Sequence, residues 1–180
     1  LSHLAIWEES INTEKIITVL EDDAILRHDF EQQHQKMIDS LKNDWDIILW
    51  GWNFDHILSV NIMSNISPVI MLFNQQQLQN SISEFQKSTI ENRLMPLDKC
   101  FGIPAYSISP IGAKKFKDEC FPLFPFEIEF PLMNHKMVNN GIDIAMNHLY
   151  PTSKSYACFP PLAVTKNEHA SSTVQNAIYF

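Results

Sequence analysis

A chain of 180 residues with 45% hydrophobic content, 12 Phe and 4 Trp can bury a substantial core and is too apolar to stay disordered. Its net charge of −8 and pI near 5.3 argue against nucleic acid as the main partner, since phosphate backbones are held by basic surfaces. Cys100, Cys120 and Cys158 are odd in number and far apart, which gives neither a disulfide framework nor a zinc knuckle and suits a reducing compartment.

No run nears the roughly 20 apolar residues of a membrane span, and no secretory leader is recognisable. The chain opens at Leu1 without an initiator Met, and the segment Ser2 to Trp7 already reads as helix interior. A fragment with sequence missing before residue 1 is therefore expected. Leu4, Ile6, Trp7 and Ile11 fall on helical spacing over residues 2 to about 11, with Ser2 as N-cap.

The segment Lys15-Ile16-Ile17-Thr18-Val19-Leu20 then runs unbroken into Glu21-Asp22-Asp23. An uninterrupted apolar or β-branched run predicts a parallel strand covered on both faces. The three carboxylates fall at its C-terminal end, where open α/β sheets place ligands. Adjacent carboxylates repel one another, and oxygen-only ligands favour a hard cation such as Mg²⁺ or Mn²⁺. The competing reading is a solvated acidic turn.

A helix is expected from Phe30 to Leu41, with Phe30, Met37, Ile38 and Leu41 on its apolar stripe. Residues Asp44 to Gly51 give a second buried strand, followed by Trp52, Asn53 and Phe54. Residues 56–73 are apolar but broken by Pro68 and read as a short hairpin or a loop over the site. Gln75 to Glu91 is polar and of low complexity. Gly102 to Ser109 predicts a third strand, and Ser109-Pro110 opens a helix over 111–119 in the favoured order of cap and N1 proline. Residues 121–126 carry too much proline for regular structure. Leu132 to Asn139 is expected to be helical, and Gly141 to turn the chain into a short helix reaching Leu149. Ser155 to Phe159 is a late strand closed by Pro160-Pro161. Strands alternating with helices predict an α/β domain over 1–165 with a polar tail at 166–180.

Five motifs in order resemble glycosyltransferase family 25, the lipopolysaccharide/lipooligosaccharide galactosyltransferase type. They are Ser2-His3-Leu4 with Trp7; Glu21-Asp22-Asp23; Asp44 to Leu49 with Gly51; Gly102 with Ala105-Tyr106-Ser107-Ile108-Ser109 and Gly112-Ala113; and Ile142-Asp143 with Pro160-Pro161. The resemblance implies a GT-A-like, Rossmann-type nucleotide-sugar-binding fold, here lacking the family's N-terminal strand. It implies transfer of a sugar, galactose foremost, from a UDP-sugar to a glycan hydroxyl with inversion, at the cytoplasmic face and with at most peripheral membrane association.

Under that resemblance Asp23 and Glu21 hold Mn²⁺ or Mg²⁺, which offsets the charge on the departing diphosphate. Glu21, Asp22, Trp52, Ser2 and His3 contact the donor. Asp143 is the base that takes the acceptor's proton, against a plain N-cap role. Glu127 and Glu129 are alternatives for the base, and His169 for the metal. His3 also reads as a core histidine, and Trp50, Trp52 and Phe54 as aromatic core. Lys114, Lys115 and Lys117 fit either an anionic acceptor or a solvated helix face. Two other functions fit less well. One is a Mg²⁺-dependent phosphohydrolase or nuclease, and the other a non-catalytic sugar- or nucleotide-binding module.

Overall fold

A computed structural model describes residues 2–42, 44–64, 66–130, 135–139 and 141–167. Helix α1 (Ser2–Thr13) leads into β1 (Ile17–Leu20), the acidic turn and β2 (Ile25–Leu26), and then into α2 (Phe30–Ser40) and β3 (Ile47–Leu49). The hairpin β4 (Leu58–Met63) and β5 (Ser67–Met71) follows, with short helices α3 (Gln75–Asn80) and α4 (Ile82–Lys87). Next come β6 (Arg93–Cys100), β7 (Ala105–Ile108), α5 (Pro110–Cys120), β8 (Glu127–Phe130), β9 (His135–Val138) and α6 (Ile142–Met146). The described chain closes with β10 (Ser155–Phe159) and β11 (Ala163–Val164).

Seven strands form one mixed sheet in the order β1-β7-β3-β10-β6-β4-β5. Among the described residues only β3 and β10 pair in parallel; the other neighbours in this sheet are antiparallel. Side chains alternate across β3. Ile47 and Leu49 join a core with Trp7 of α1 and Phe116 of α5, while Ile48 joins Met37 and Ile38 of α2 on the other face. The result is an α/β/α arrangement with a core on each face of the sheet.

The capped helix forms as its sequence predicts. Ser109 Oγ accepts from the Gly112 amide at 3.0 Å and donates to the Trp45 carbonyl at 2.9 Å, with Pro110 at the first position. Pro68 sits in β5, an edge strand, where a missing ladder donor is tolerated.

The structure corrects several expectations. Strand β1 is neither parallel nor covered on both sides: it pairs only with β7, antiparallel, among the described residues, and Leu20 is 46% exposed. The run misleads because Thr18 spends its hydroxyl on His34 Nε2 and Ser107 Oγ, at 2.9 and 2.7 Å, rather than in a second apolar layer. Over 132–139 the described part is not helical. Residues 135–138 form β9, with Met137 opposite Ile128 of β8, and residues 132–134 lie outside the described set. An i, i+4 spacing such as Met133–Met137 is even, so it marks one face of a strand as well as of a helix. Ser2 is the first residue of α1 itself. The three lysines of α5 meet carboxylates: Lys114 meets Asp118 at 2.8 Å, Lys115 meets Asp46 at 3.2 Å and Lys117 meets Glu8 at 2.7 Å. No described helix is long and apolar enough to cross a membrane, and all three cysteines are free and buried.

Candidate active site

The site forms at one end of the central sheet, where β1 and β3 finish and β7 begins. Glu21 follows β1 and donates its amide to the Pro104 carbonyl at 2.8 Å, while the Ala24 amide closes a tight turn onto the Glu21 carbonyl at 3.1 Å. This turn presents the three carboxylates. Strand β2 then pairs with β11, so the chain leaving β11 returns beside the turn. There the Thr165 hydroxyl donates to Asp23 Oδ2 at 2.7 Å and accepts from the Asn167 amide at 3.0 Å. A buried hydroxyl with both bonds made fixes the Asp23 carboxylate in one orientation.

Asp143 reaches the same place from α6. Gly141 occupies the N-cap position of that helix in an extended conformation, so Asp143 lies inside the first turn and is not the cap. Its Oδ2 accepts instead from the Gly102 amide at 3.2 Å. Gly102 has φ +71°, and a Cβ there would lie 2.3 Å from the Asn53 side chain. Glycine is needed at this position to turn the chain and bring its N–H to the carboxylate. Asn147 anchors the rest of α6: its side-chain amide donates to the Cys100 and Asp143 carbonyls at 2.6 and 2.8 Å, and its Oδ1 accepts from the Cys100 amide at 2.7 Å.

These residues line a cavity of about 250 Å³ walled by Glu21, Asp23, Asn53, Gly102, Asp143 and Thr165 among others. Three carboxylates from sequence positions 21, 23 and 143 thus face one space. Burial and the neighbouring Asp23, Asp143 and Asp22 charges push the Glu21 carboxyl up to about 7 from its ordinary 4.5. A folded form that keeps a proton the unfolded chain has lost becomes less stable as pH rises from about 4.5 to 7. The Glu21 side chain retains 38% exposure, so solvent screens part of this penalty. Replacing Glu21 with Gln is expected to flatten the fall in melting temperature between pH 5 and pH 8 and to leave the variant more stable than the parent at pH 8. Overlaid pH profiles would refute the crowding.

His3 stands behind Glu21, its Nε2 3.8 Å from Oε1. Its Nδ1 is 2.8 Å from the Tyr106 hydroxyl, which also accepts from Trp7 Nε1 at 3.0 Å. The partner of His3 is therefore a side chain and not the backbone. Burial lowers the His3 pKa, which favours the neutral ring.

The other residues singled out from sequence lie elsewhere. Asp22 is exposed on the turn and Ser2 is exposed at the start of α1, and neither lines the cavity. Trp52 is 0% exposed among Phe54, Phe73 and Phe159, with ring centroids at 6.2, 5.8 and 6.3 Å, so it belongs to the core and offers no face to a sugar. Trp50 is equally buried and donates to Ser107 Oγ at 2.8 Å. Glu127 and Glu129 sit on β8, away from the cavity, and Glu127 pairs with Lys136 at 3.3 Å. His169 lies outside the described residues. Sequence reasoning passed over Thr165, Asn167 and Asn53. Only Asn53, one residue past Trp52 at a strand end, carried a positional signal.

The donor set is chemically suited to a hard cation. Among the described residues no three His, Cys, Asp or Glu side chains gather closely enough to form a protein-only metal site. Glu21 and Asp23 are nonetheless two oxygen donors on one turn, with a charge crowding that a dication would relieve. Such partial sets suit ions that take their remaining oxygens from phosphate and water.

A family model for glycosyltransferase family 25 (LPS biosynthesis protein) matches residues 1–125. The matched span holds the acidic turn, β3, Gly102 and β7, and ends before Asp143. No curated protein and no solved structure matches the chain.

Proposed function

The chain belongs to glycosyltransferase family 25, and from that membership we propose a UDP-sugar-dependent hexosyltransferase on a GT-A-like fold. It would move a sugar, galactose foremost, to a hydroxyl of a lipopolysaccharide, lipooligosaccharide or related glycan, with inversion. The observation that carries this reading is the shared cavity, lined by Glu21 and Asp23 from the acidic turn and by Asp143 from a distant part of the chain. Transfer with inversion needs this division: charge relief at the diphosphate and a base where the acceptor attacks.

Glu21 and Asp23 would hold Mn²⁺ or Mg²⁺ against the donor phosphates. Bound there, the ion supplies Lewis-acid relief of the charge that builds on the leaving diphosphate. Thr165 keeps the Asp23 carboxylate turned toward the cavity, and His3 stands against Glu21. The acceptor oxygen bonds to the anomeric carbon as the bond to the diphosphate breaks, its electron pair leaving with the diphosphate. The hydroxyl proton passes to Asp143, which the Gly102 amide orients through its other oxygen. The transfer would take place at the cytoplasmic face of the membrane, with peripheral contact at most.

The test is a thermal melt with UDP plus Mn²⁺, each alone, and UDP plus EDTA. A ligand at about 100 times its Kd stabilises the fold by roughly 2.7 kcal/mol, several degrees at this size. The expected shift needs both UDP and metal and disappears in Asp23→Asn. A shift with Mn²⁺ alone points to the phosphohydrolase reading, and no shift with any combination rejects a working donor site.

A further inference from the structure

We propose that the protein docks on a lipid bilayer by inserting the tip of the β4–β5 hairpin. Strand β4 is anchored at its start and free at its end. Leu58 and Val60 are fully buried and lie opposite Cys100 and Leu97 of β6. Past Val60, β4 has no further partner in β6 among the described residues and pairs only with β5, Met63 lying opposite Ser67. The consecutive Ile62 and Met63 are 54% and 43% exposed, and Ile66, in the turn, is 82% exposed. No neighbouring element covers them, so the end of the hairpin projects from the body of the protein.

Composition and size decide what such a tip meets. The chain is 19% charged, yet no Asp, Glu, Lys, Arg or His occurs from Ile57 to Ser83. An apolar phase admits Ile and Met but expels charged side chains, and the polar residues of the tip, Asn61, Ser64 and Ser67, carry no charge. A stable contact with a second copy takes about 20–30 residues from each side, far more than the projecting segment 61–67 supplies. A bilayer sets no such minimum. The net charge of −8 opposes adsorption to an anionic surface by charge, so the contact is apolar, insensitive to salt and no stronger on anionic lipid.

Chain direction sets what docking does to the site. Strand β10 runs parallel to β3, β6 antiparallel to β10, and β4 antiparallel to β6. Strands β3 and β4 therefore point the same way, and Met63 lies at the end of the sheet where β3 finishes beside the cavity. The hairpin itself is on the edge away from β1, and none of its residues lines the cavity. Insertion turns the site's end of the sheet toward lipid without covering the cavity. The docking stands on the hairpin alone; its bearing on sugar transfer rests on the proposed function.

The experiment is flotation with phosphatidylcholine vesicles, with and without phosphatidylglycerol and added salt, on the parent and on the Ile62→Ser/Ile66→Ser double variant. All four tryptophans are buried, so Ile66→Trp adds an indole whose emission reports the tip. The replaced side chains are exposed, so the variants are expected to fold, and the UDP–Mn²⁺ melt is run on each. Expected is flotation of the parent that salt does not reverse and anionic lipid does not strengthen. The double variant should lose about tenfold or more in vesicle binding, and Ile66→Trp emission should shift to the blue on vesicles. The UDP–Mn²⁺ response should stay unchanged in both. A parent that does not float, a double variant that floats equally, or an Ile66→Trp emission unmoved by vesicles overturns the proposal. So does a parent that stays off the vesicles but dimerises through the tip, or one that floats only on anionic lipid and is released by salt. Flotation that depends on Ile62 and Ile66 in a chain without a UDP–Mn²⁺ shift upholds the docking and rejects the donor reading instead.

Discussion

Asp143→Asn is expected to lower kcat for sugar transfer by about 10²- to 10⁴-fold, the range over which a positioned general base contributes. The substitution is close to isosteric, and the amide oxygen can still accept from the Gly102 N–H, which keeps α6 in place. What disappears is the capacity to take a proton. Donor binding should survive, and the argument has a sign. Asp143 is one of the charges that raise the Glu21 pKa, so its removal lets Glu21 ionise at lower pH. Metal and UDP should then bind at least as well at pH 6 as in the parent. The measurement is steady-state kinetics with saturating donor, beside the UDP–Mn²⁺ melt at pH 6 and 8. A kcat within threefold of the parent would remove Asp143 from the chemistry. A lost UDP–Mn²⁺ shift would place it in donor binding. The contrast with Asp23→Asn, expected to lose the shift outright, separates the base from the donor site.

That set of carboxylates was only half legible in the sequence. The acidic turn stood out because three adjacent carboxylates close an apolar run, although a solvated acidic turn reads the same way in a short window. Asp143 could be named only through the family resemblance, and its role as a cap was as good a local reading. The structure replaces it at the cap with Gly141. Thr165 carries no local signal, since its position follows from β11 pairing with β2, and Asn53 carries only its place just past the end of β3. Trp52 shows the opposite failure: an aromatic past a strand end looks like a sugar platform until the third dimension surrounds it with Phe54, Phe73 and Phe159.

The fold divides in the same way. Elements set by local rules, such as the Ser109-Pro110 cap and the buried triplet of β3, appear where the sequence puts them. Strand β6 passed unnoticed. It contains Pro96, Asp98 and Lys99, residue types that strands avoid. It forms because β10 and β4 flank it, with a register shift against β4 near Asp98, whose carboxylate accepts from Ser59 Oγ at 2.7 Å. No window of sequence contains those partners.

Gly112→Ala is expected to destabilise the protein by about 2–4 kcal/mol, the sum of a typical overpacking cost and a weakened cap. Helix propensity predicts the opposite, since alanine gains roughly 1 kcal/mol over glycine inside a helix. Geometry decides between them. A Cβ at Gly112 would lie 2.0 Å from the Asp46 carbonyl oxygen, 2.6 Å from its carbon and 2.8 Å from its Cα. All three are backbone atoms at the entry to β3, so no side-chain tip can swing away. The first turn of α5 must withdraw. That strains the Ser109 cap and the Ser109 amide bond to the Asp46 carbonyl at 3.0 Å. At roughly 2–4 °C per kcal/mol for a chain of this length, the melting temperature should drop by about 5–15 °C. The displacement has a path to the site, because Ser109 directly follows β7 and Pro104, just before β7, accepts the Glu21 amide. The UDP–Mn²⁺ shift of Gly112→Ala should therefore shrink along with its stability. Calorimetry showing a variant as stable as the parent or more so would mean that the helix and strand do not approach each other this closely.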